Sequence, residues 1–305
     1  MQVKYQRVAL LQSTKDIEQI IAIFVIMRSE ILKHGVHALV GGEGIPIILL
    51  PGWPQTAAAF SDVFESLCKN HQVWALDPPG TGDSSPSLDG YSTKSISRLL
   101  YESVGHVTAS PYHLVGHDIG AWIAYTWAAQ FPSSMISLTV LDSAIPGYFP
   151  SLSFPLPGPI NLKLWQFSFN SLPDLPEILT QGREREFLNW IFNQKAGSPE
   201  KISQAKRELY ISYYSKPGGM HNGFEFYRAQ ETSAAENVQL AEKKLKMPVL
   251  ALGGQSGVGN GLMNSMKALA ENVTGGTIED CGHYVMEEQP EAVARWILDF
   301  FKTVE

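Results

Sequence analysis

Positive charge is scarce in this sequence. Its 305 residues carry 23 Lys and Arg against 30 Asp and Glu, a formal net charge of −7 with a pI near 5.6. Nucleic acid and anionic membrane surfaces both attract basic patches, so neither is expected as a partner. Cysteine is scarcer still. Cys68 and Cys281 cannot build a disulfide framework or a zinc site by themselves, and a reducing, cytoplasmic setting is the simpler expectation. No apolar run reaches the roughly 20 residues that a bilayer span needs. The strongest candidate, residues 20–27 (Ile-Ile-Ala-Ile-Phe-Val-Ile-Met), reads as a buried first strand. Asp16 and Glu18 precede it and no small-residue cleavage site follows, so a signal peptide is not expected either. Internal repeats, low-complexity tracts, a dinucleotide glycine fingerprint and a metal-binding histidine pair on one helix are all missing. No cofactor and no metal are expected.

What remains is an ordinary packed composition, 44% hydrophobic and 17% charged, long enough for one large α/β domain with an insertion. Short apolar runs alternate with helical patterns, which predicts a mostly parallel sheet covered on both faces. Strands are expected at 46–50, 72–77, 112–117, 136–142, 247–253 and 277–281, and helices at 57–69, 93–107, 119–130, 262–271 and 291–302. The rhythm breaks after Asp142. Five prolines between 146 and 160 argue against helix or central strand there. A helical, aromatic-rich stretch then runs to about Ala235. An excursion of that size predicts a helical cap, residues 146–236, over the carboxyl edge of a sheet built from 1–145 and 237–305.

Three side chains converge on that edge. Gly116-His117-Asp118-Ile119-Gly120 follows a strand and opens a helix, the context a nucleophile elbow requires. The central residue is a carboxylate where serine is usual, and a carboxylate suits attack on saturated carbon, giving an ester that water must open. The bland reading of Asp118 is a helix cap; the flanking glycines favour the elbow. His283, in Asp280-Cys281-Gly282-His283-Tyr284, comes last in the chain order nucleophile, acid, histidine. With a pKa near neutrality it can draw a proton from water. The loop after strand 247–253, where the orienting acid usually stands, holds no carboxylate. Asp142, at the end of the preceding strand, takes that part. Backbone N–H groups of Trp53 and Ile119 are the expected oxyanion donors.

Together these residues resemble the α/β-hydrolase fold, in its epoxide hydrolase and haloacid dehalogenase branch. The resemblance runs from about Gly35 to the C-terminus. It is carried by residues 50–56 (Leu-Pro-Gly-Trp-Pro-Gln-Thr), 77–84, 116–120, 223–229 (Gly-Phe-Glu-Phe-Tyr-Arg-Ala) and 281–283. It implies an eight-stranded, mostly parallel sheet with an inserted helical cap, Asp118 as nucleophile, His283 as base, and Asp142 as acid in its alternative place after the sixth strand. Tyr227 matches the cap tyrosine that donates to an opening epoxide oxygen. Gln166 stands where a second tyrosine or histidine donor is usual, and an amide donates a hydrogen bond but delivers no proton. Trp122, Trp165 and Gln166 are the expected substrate-binding side chains. Fluoroacetate-type dehalogenases carry arginines where Ile119 and Trp122 stand here, and haloalkane dehalogenases an asparagine and a tryptophan where Trp53 and Ile119 stand. An apolar or uncharged epoxide is therefore the expected substrate, and Gln166 leaves room for a specialised natural product, a large epoxide or strained ether. Halide release by the same residues and a non-catalytic binding protein are the alternatives, and a homodimer is compatible with the sequence.

Overall fold

The computed structural model describes residues 27–105, 107–108, 111–149 and 155–305. The buried strand expected at 20–27 falls outside these residues apart from Met27, which is buried. Eight strands form one sheet: β1 (Arg28–Ile31), β2 (His37–Gly41), β3 (Ile45–Leu50), β4 (His71–Leu76), β5 (Tyr112–His117), β6 (Met135–Leu141), β7 (Val249–Gly254) and β8 (Val273–Ile278). Their spatial order is β1-β2-β4-β3-β5-β6-β7-β8, with β2 antiparallel to both its neighbours, β1 and β4, and every other pair parallel. The central strands are near-continuous apolar runs because both faces are covered. Alternate side chains divide between two cores: Ile48, Leu50, Leu114 and Val140 face one, Ile47, Leu49, Val73 and Val115 the other.

Helices α1 (Ser61–Cys68) and α12 (Pro290–Val304) close the second core with Phe64, Leu67, Val293 and Ile297. Helices α2 (Thr93–Val104) and α3 (Ile119–Gln130) close the first. Helix α3 is apolar on every side and buried nearly throughout, as a helix between sheet and further layers must be. Between β6 and β7 run α4 (Gly158–Asn170), α5 (Leu175–Thr180), α6 (Glu184–Lys195), α7 (Gln204–Tyr214), α8 (Gly219–Arg228) and α9 (Gln230–Leu240). Helix α10 (Gly261–Leu269) and the single turn α11 (Val285–Glu288) complete the set. No described helix is long and apolar enough to cross a membrane.

Several sequence expectations need correction. The last strand lies at Val273–Ile278, and 279–281 are turn and loop. Gly275 and Gly276 look like a break but are paired with β7: a Cβ on Gly275 would stand 1.9 Å from the Ala251 carbonyl oxygen, so only glycine fits this register. Helix α4 starts inside the proline-rich stretch, because Pro159 sits in its first turn, where no intrahelical N–H is needed. Helix α9 continues past Ala235 to Leu240, tied to the core by Asn237 (Oδ1 2.8 Å from Thr126 Oγ1) and Ser233 (accepting from Thr93 N at 3.0 Å). Strands β1 and β2 were not anticipated; β1 is a four-residue exposed edge with little pattern to read.

Candidate active site

The turn from β5 into α3 holds Asp118 at φ +52°, ψ −121°, a backbone region that costs a non-glycine residue about 1–3 kcal/mol. Crowding enforces it. A Cβ on Gly116 would lie 2.3 Å from the Gly120 carbonyl oxygen, and one on Gly120 2.1 Å from that of Leu50. The two glycines therefore let strand, turn and helix close on one another, with the aspartate side chain lifted above the sheet edge. Gly52 faces it so closely that a Cβ there would stand 2.2 Å from the Asp118 Cβ. Asp118 is 4% exposed.

Its two oxygens see different partners. Oδ1 accepts the backbone N–H of Trp53 at 3.0 Å. The N–H of Ile119, first residue of α3, has no intrahelical acceptor and emerges at the positive end of the helix. Oδ2 lies 3.1 Å from Nε2 of His283, off the hydrogen-bond direction, so that Nε2 keeps no hydrogen-bond partner among the described residues. On the other side of the ring, Nδ1 donates to Asp142 Oδ2 at 2.7 Å. Asp142 Oδ1 accepts two backbone N–H groups, from Gly254 at 2.8 Å and Val258 at 2.9 Å. The loop that lacks a carboxylate thus cradles one from the neighbouring strand, and Gly257 must be glycine because its Cβ would fall 2.3 Å from Asp142 Oδ1.

Electrostatics follow from this packing. Burial alone would raise the Asp118 pKa, but the contact and charge of His283, with Lys195 and His117 adding, hold it well below the usual carboxylate range. Burial and the charge of Lys195 push His283 down, yet the flanking Asp118 and Asp142 prevail and its pKa is raised. His117, wholly buried, falls to about 4 through desolvation and stays neutral. Its Nε2–H donates to the His283 carbonyl at 2.7 Å and braces the histidine loop.

That loop has a second brace. Glu288, buried, accepts the N–H groups of Gly197, Ser198 and Gly282 on Oε2 (2.8, 2.9 and 2.9 Å) and of Tyr284 on Oε1 (3.0 Å). One carboxylate therefore joins the segment after α6 to the histidine loop. No local sequence pattern announces this role.

Aromatic rings roof the site. Tyr227 on α8 packs edge-on against Trp53 (5.6 Å), Phe167 (5.5 Å) and Trp122 (6.1 Å). Burial and the charge of Asp118 raise its phenol well above its ordinary pKa, so it is a hydrogen-bond donor at neutral pH. Trp122 is buried with its Nε1–H on Ser143 Oγ at 2.9 Å. Trp165 sits higher, among Phe169, Phe187 and Trp190. Gln166 is completely buried, and neither its amide oxygen nor its nitrogen finds a partner among the described residues. Asn170, one turn further along the same face of α4, is equally buried and has the Tyr227 hydroxyl as its polar neighbour. The i, i+4 spacing of these two amides was visible in the sequence but unremarkable before burial was known.

Away from this edge, His71, His113 and Glu305 bring their ligand atoms within 4.8 Å of one another, a trio that the sequence reading did not foresee. Glu305 accepts from His71 Nε2 at 2.8 Å and His113 Nε2 at 3.1 Å. The arrangement pins the chain's last residue to β4 and β5.

A model of the alpha/beta hydrolase fold matches residues 45–290. The soluble epoxide hydrolase of Corynebacterium sp. strain C12 is 31% identical over 288 residues, covering 90% of this chain and 99% of that one. The fluoroacetate dehalogenase of a Burkholderia species is 25% identical over 276 residues, covering 87% and 90%. Among solved structures, Cfl2 from Burkholderia cenocepacia superposes with a TM-score of 0.86 at 37% identity, over 90% of this chain and 95% of that one.

Proposed function

The chain belongs to the α/β-hydrolase fold family, in its epoxide hydrolase branch, and from that premise we propose that it opens an epoxide to a vicinal diol through a covalent ester on Asp118. The observation that carries this reading is the division of labour on one carboxylate: Trp53 N–H on Oδ1, His283 beside Oδ2, and Asp142 behind His283.

In the first step Oδ2 attacks an epoxide carbon and the ring C–O bond breaks. Negative charge moves from Asp118 to the opening oxygen, where the Tyr227 hydroxyl and the Gln166 amide donate hydrogen bonds. In the second step His283 Nε2 takes a proton from water, and the hydroxide oxygen adds to the Asp118 carboxyl carbon. Charge gathers on Oδ1, which already accepts the Trp53 N–H, and the Ile119 N–H serves as the second donor. Collapse expels the diol; the proton that His283 takes balances the one that the alkoxide consumes. Residues 146–236 serve as the lid of this site, and 1–145 with 237–305 as its core.

Loss of the Asp118 charge in the first step is what frees His283 for the second. While both carboxylates are charged they raise the imidazole pKa; once one is esterified, burial and Lys195 oppose only Asp142. The test is a single turnover in water labelled with heavy oxygen. The label is expected in Asp118 and not in the diol first released; label in that diol refutes the covalent route.

A further inference from the structure

Lys195 ends helix α6, where a lysine ordinarily offsets the helix dipole from the surface. This one is 7% exposed. Its Nζ lies 5.8 Å from the centroid of the Phe167 ring, the same ring that packs 5.5 Å from Tyr227 and 6.0 Å from Trp122 over Asp118. The residue is fixed against the histidine loop, because its carbonyl accepts the His283 N–H at 3.0 Å and a Cβ on Gly282 would stand 2.7 Å from that carbonyl oxygen. Among the described residues no carboxylate reaches ion-pair distance of Nζ, and Nζ makes no hydrogen bond. A buried ammonium without a counter-ion is an expensive thing to keep.

Its surroundings suit an anionic group. Burial lowers the Lys195 pKa and the charges of Asp118 and Asp142 oppose it through space, but each carboxylate is already engaged, one by Trp53 and His283, the other by His283, Gly254 and Val258. Lys163, on α4 one turn before Gln166, adds a second positive charge nearby and donates to the Ser256 carbonyl in the loop around Asp142. A substrate that reaches Asp118 passes the rings of Phe167, Tyr227 and Trp122, and the Lys195 ammonium lies over the first of them.

Resting on the epoxide reading above, we propose that Lys195 is an anion subsite and that the substrate is an epoxide bearing a carboxylate, which pairs with its ammonium while the ring carbon meets Asp118. This replaces the uncharged substrate expected from the sequence. That expectation rested on the missing arginines at positions 119 and 122; the cation comes instead from the helical segment above the sheet, from a lysine that spacing alone could not place.

Phenylglycidate and its neutral amide, phenylglycidamide, make a matched pair of probes. The wild type is expected to favour the anion by about tenfold or more in kcat/KM. Lys195→Met should lose about 10- to 100-fold on the anion, the range of a charged hydrogen bond, and little on the amide. Lys195→Arg should restore part of the preference. Binding is read separately by quenching of tryptophan fluorescence in Asp118→Asn protein, where phenylglycidate should bind more weakly after Lys195→Met and at raised salt. If Met at 195 prevents folding, Lys195→Gln and the salt dependence decide in its place. Equal loss on both probes, or a wild-type preference for the amide, overturns the proposal. Lys195-dependent binding of the anion without diol formation, or with fluoride release from fluoroacetate instead, keeps the subsite and sinks the epoxide reading.

Discussion

Asp142→Asn separates the two chemical steps. Oδ1 of Asp142 accepts two backbone N–H groups, whereas Oδ2 accepts only the His283 Nδ1–H. An asparagine must place its carbonyl oxygen against Gly254 and Val258, because the flipped amide would abandon two hydrogen bonds worth about 1 kcal/mol each and set N–H against N–H. Its NH2 then faces Nδ1, which has to become an acceptor, so the proton moves to Nε2 and the ring can no longer take one from water. In a serine enzyme that wrong tautomer lowers kcat about 10⁴-fold. The same loss here is about 5.5 kcal/mol on ester hydrolysis. Alkylation of Asp118 does not use His283 as base and should survive. Rapid-quench mass spectrometry with an epoxide that the wild type turns over is therefore expected to show about one equivalent of adduct on Asp118, then a stall. Asp142→Ala is a different perturbation: it strands both N–H donors and should cost about 2–6 kcal/mol of stability. A slow Asp142→Asn enzyme with no accumulating adduct, or one that hydrolyses its ester at the wild-type rate, refutes the assignment.

In the free protein His283 should titrate above its ordinary 6.5, as seen by NMR of the imidazole, because the two carboxylates outweigh burial and Lys195. The kcat profile should rise with pH through a lower value, since the base acts when Asp118 is an uncharged ester; coincidence of the two values argues against that order of events. Tyr227→Phe should lower kcat/KM for epoxide opening by about 10²- to 10³-fold without slowing hydrolysis of a preformed ester, as stopped-flow fluorescence would report. Glu288→Ala strands four N–H groups, those of Gly282 and Tyr284 buried, and is expected to lose about 3 kcal/mol, read as a Tm lower by several degrees.

Much of this molecule is legible without coordinates, for physical reasons that differ from part to part. Strand β5 and helix α3 were read to the residue, because a two-sided buried strand, a glycine-flanked turn and an apolar helix each leave strong signatures. The neighbourhood of Asp118, His283 and Asp142 followed from chain order and from the missing carboxylate at 253–259. What escaped was set by long-range packing. Gly275 and Gly276 look like a turn until the β7 carbonyl that excludes a Cβ is known. Lys195 looks like a surface lysine, Asn170 like a helix end, and Glu288 like one of many acids before a proline. Their importance lies in burial and in partners some tens of residues away, which no local periodicity encodes.

The Glu288 clasp has a mechanical consequence. Because Gly197, Ser198, Gly282 and Tyr284 share one acceptor, the strand of chain leaving α6 and the turn that aims the imidazole form a single rigid joint. Any breathing that admits a bulky molecule must spare this corner and pivot elsewhere. Attempts to enlarge the chamber by redesigning 196–198 would therefore detune proton transfer before they widened access, whereas changes along α4 leave the joint untouched.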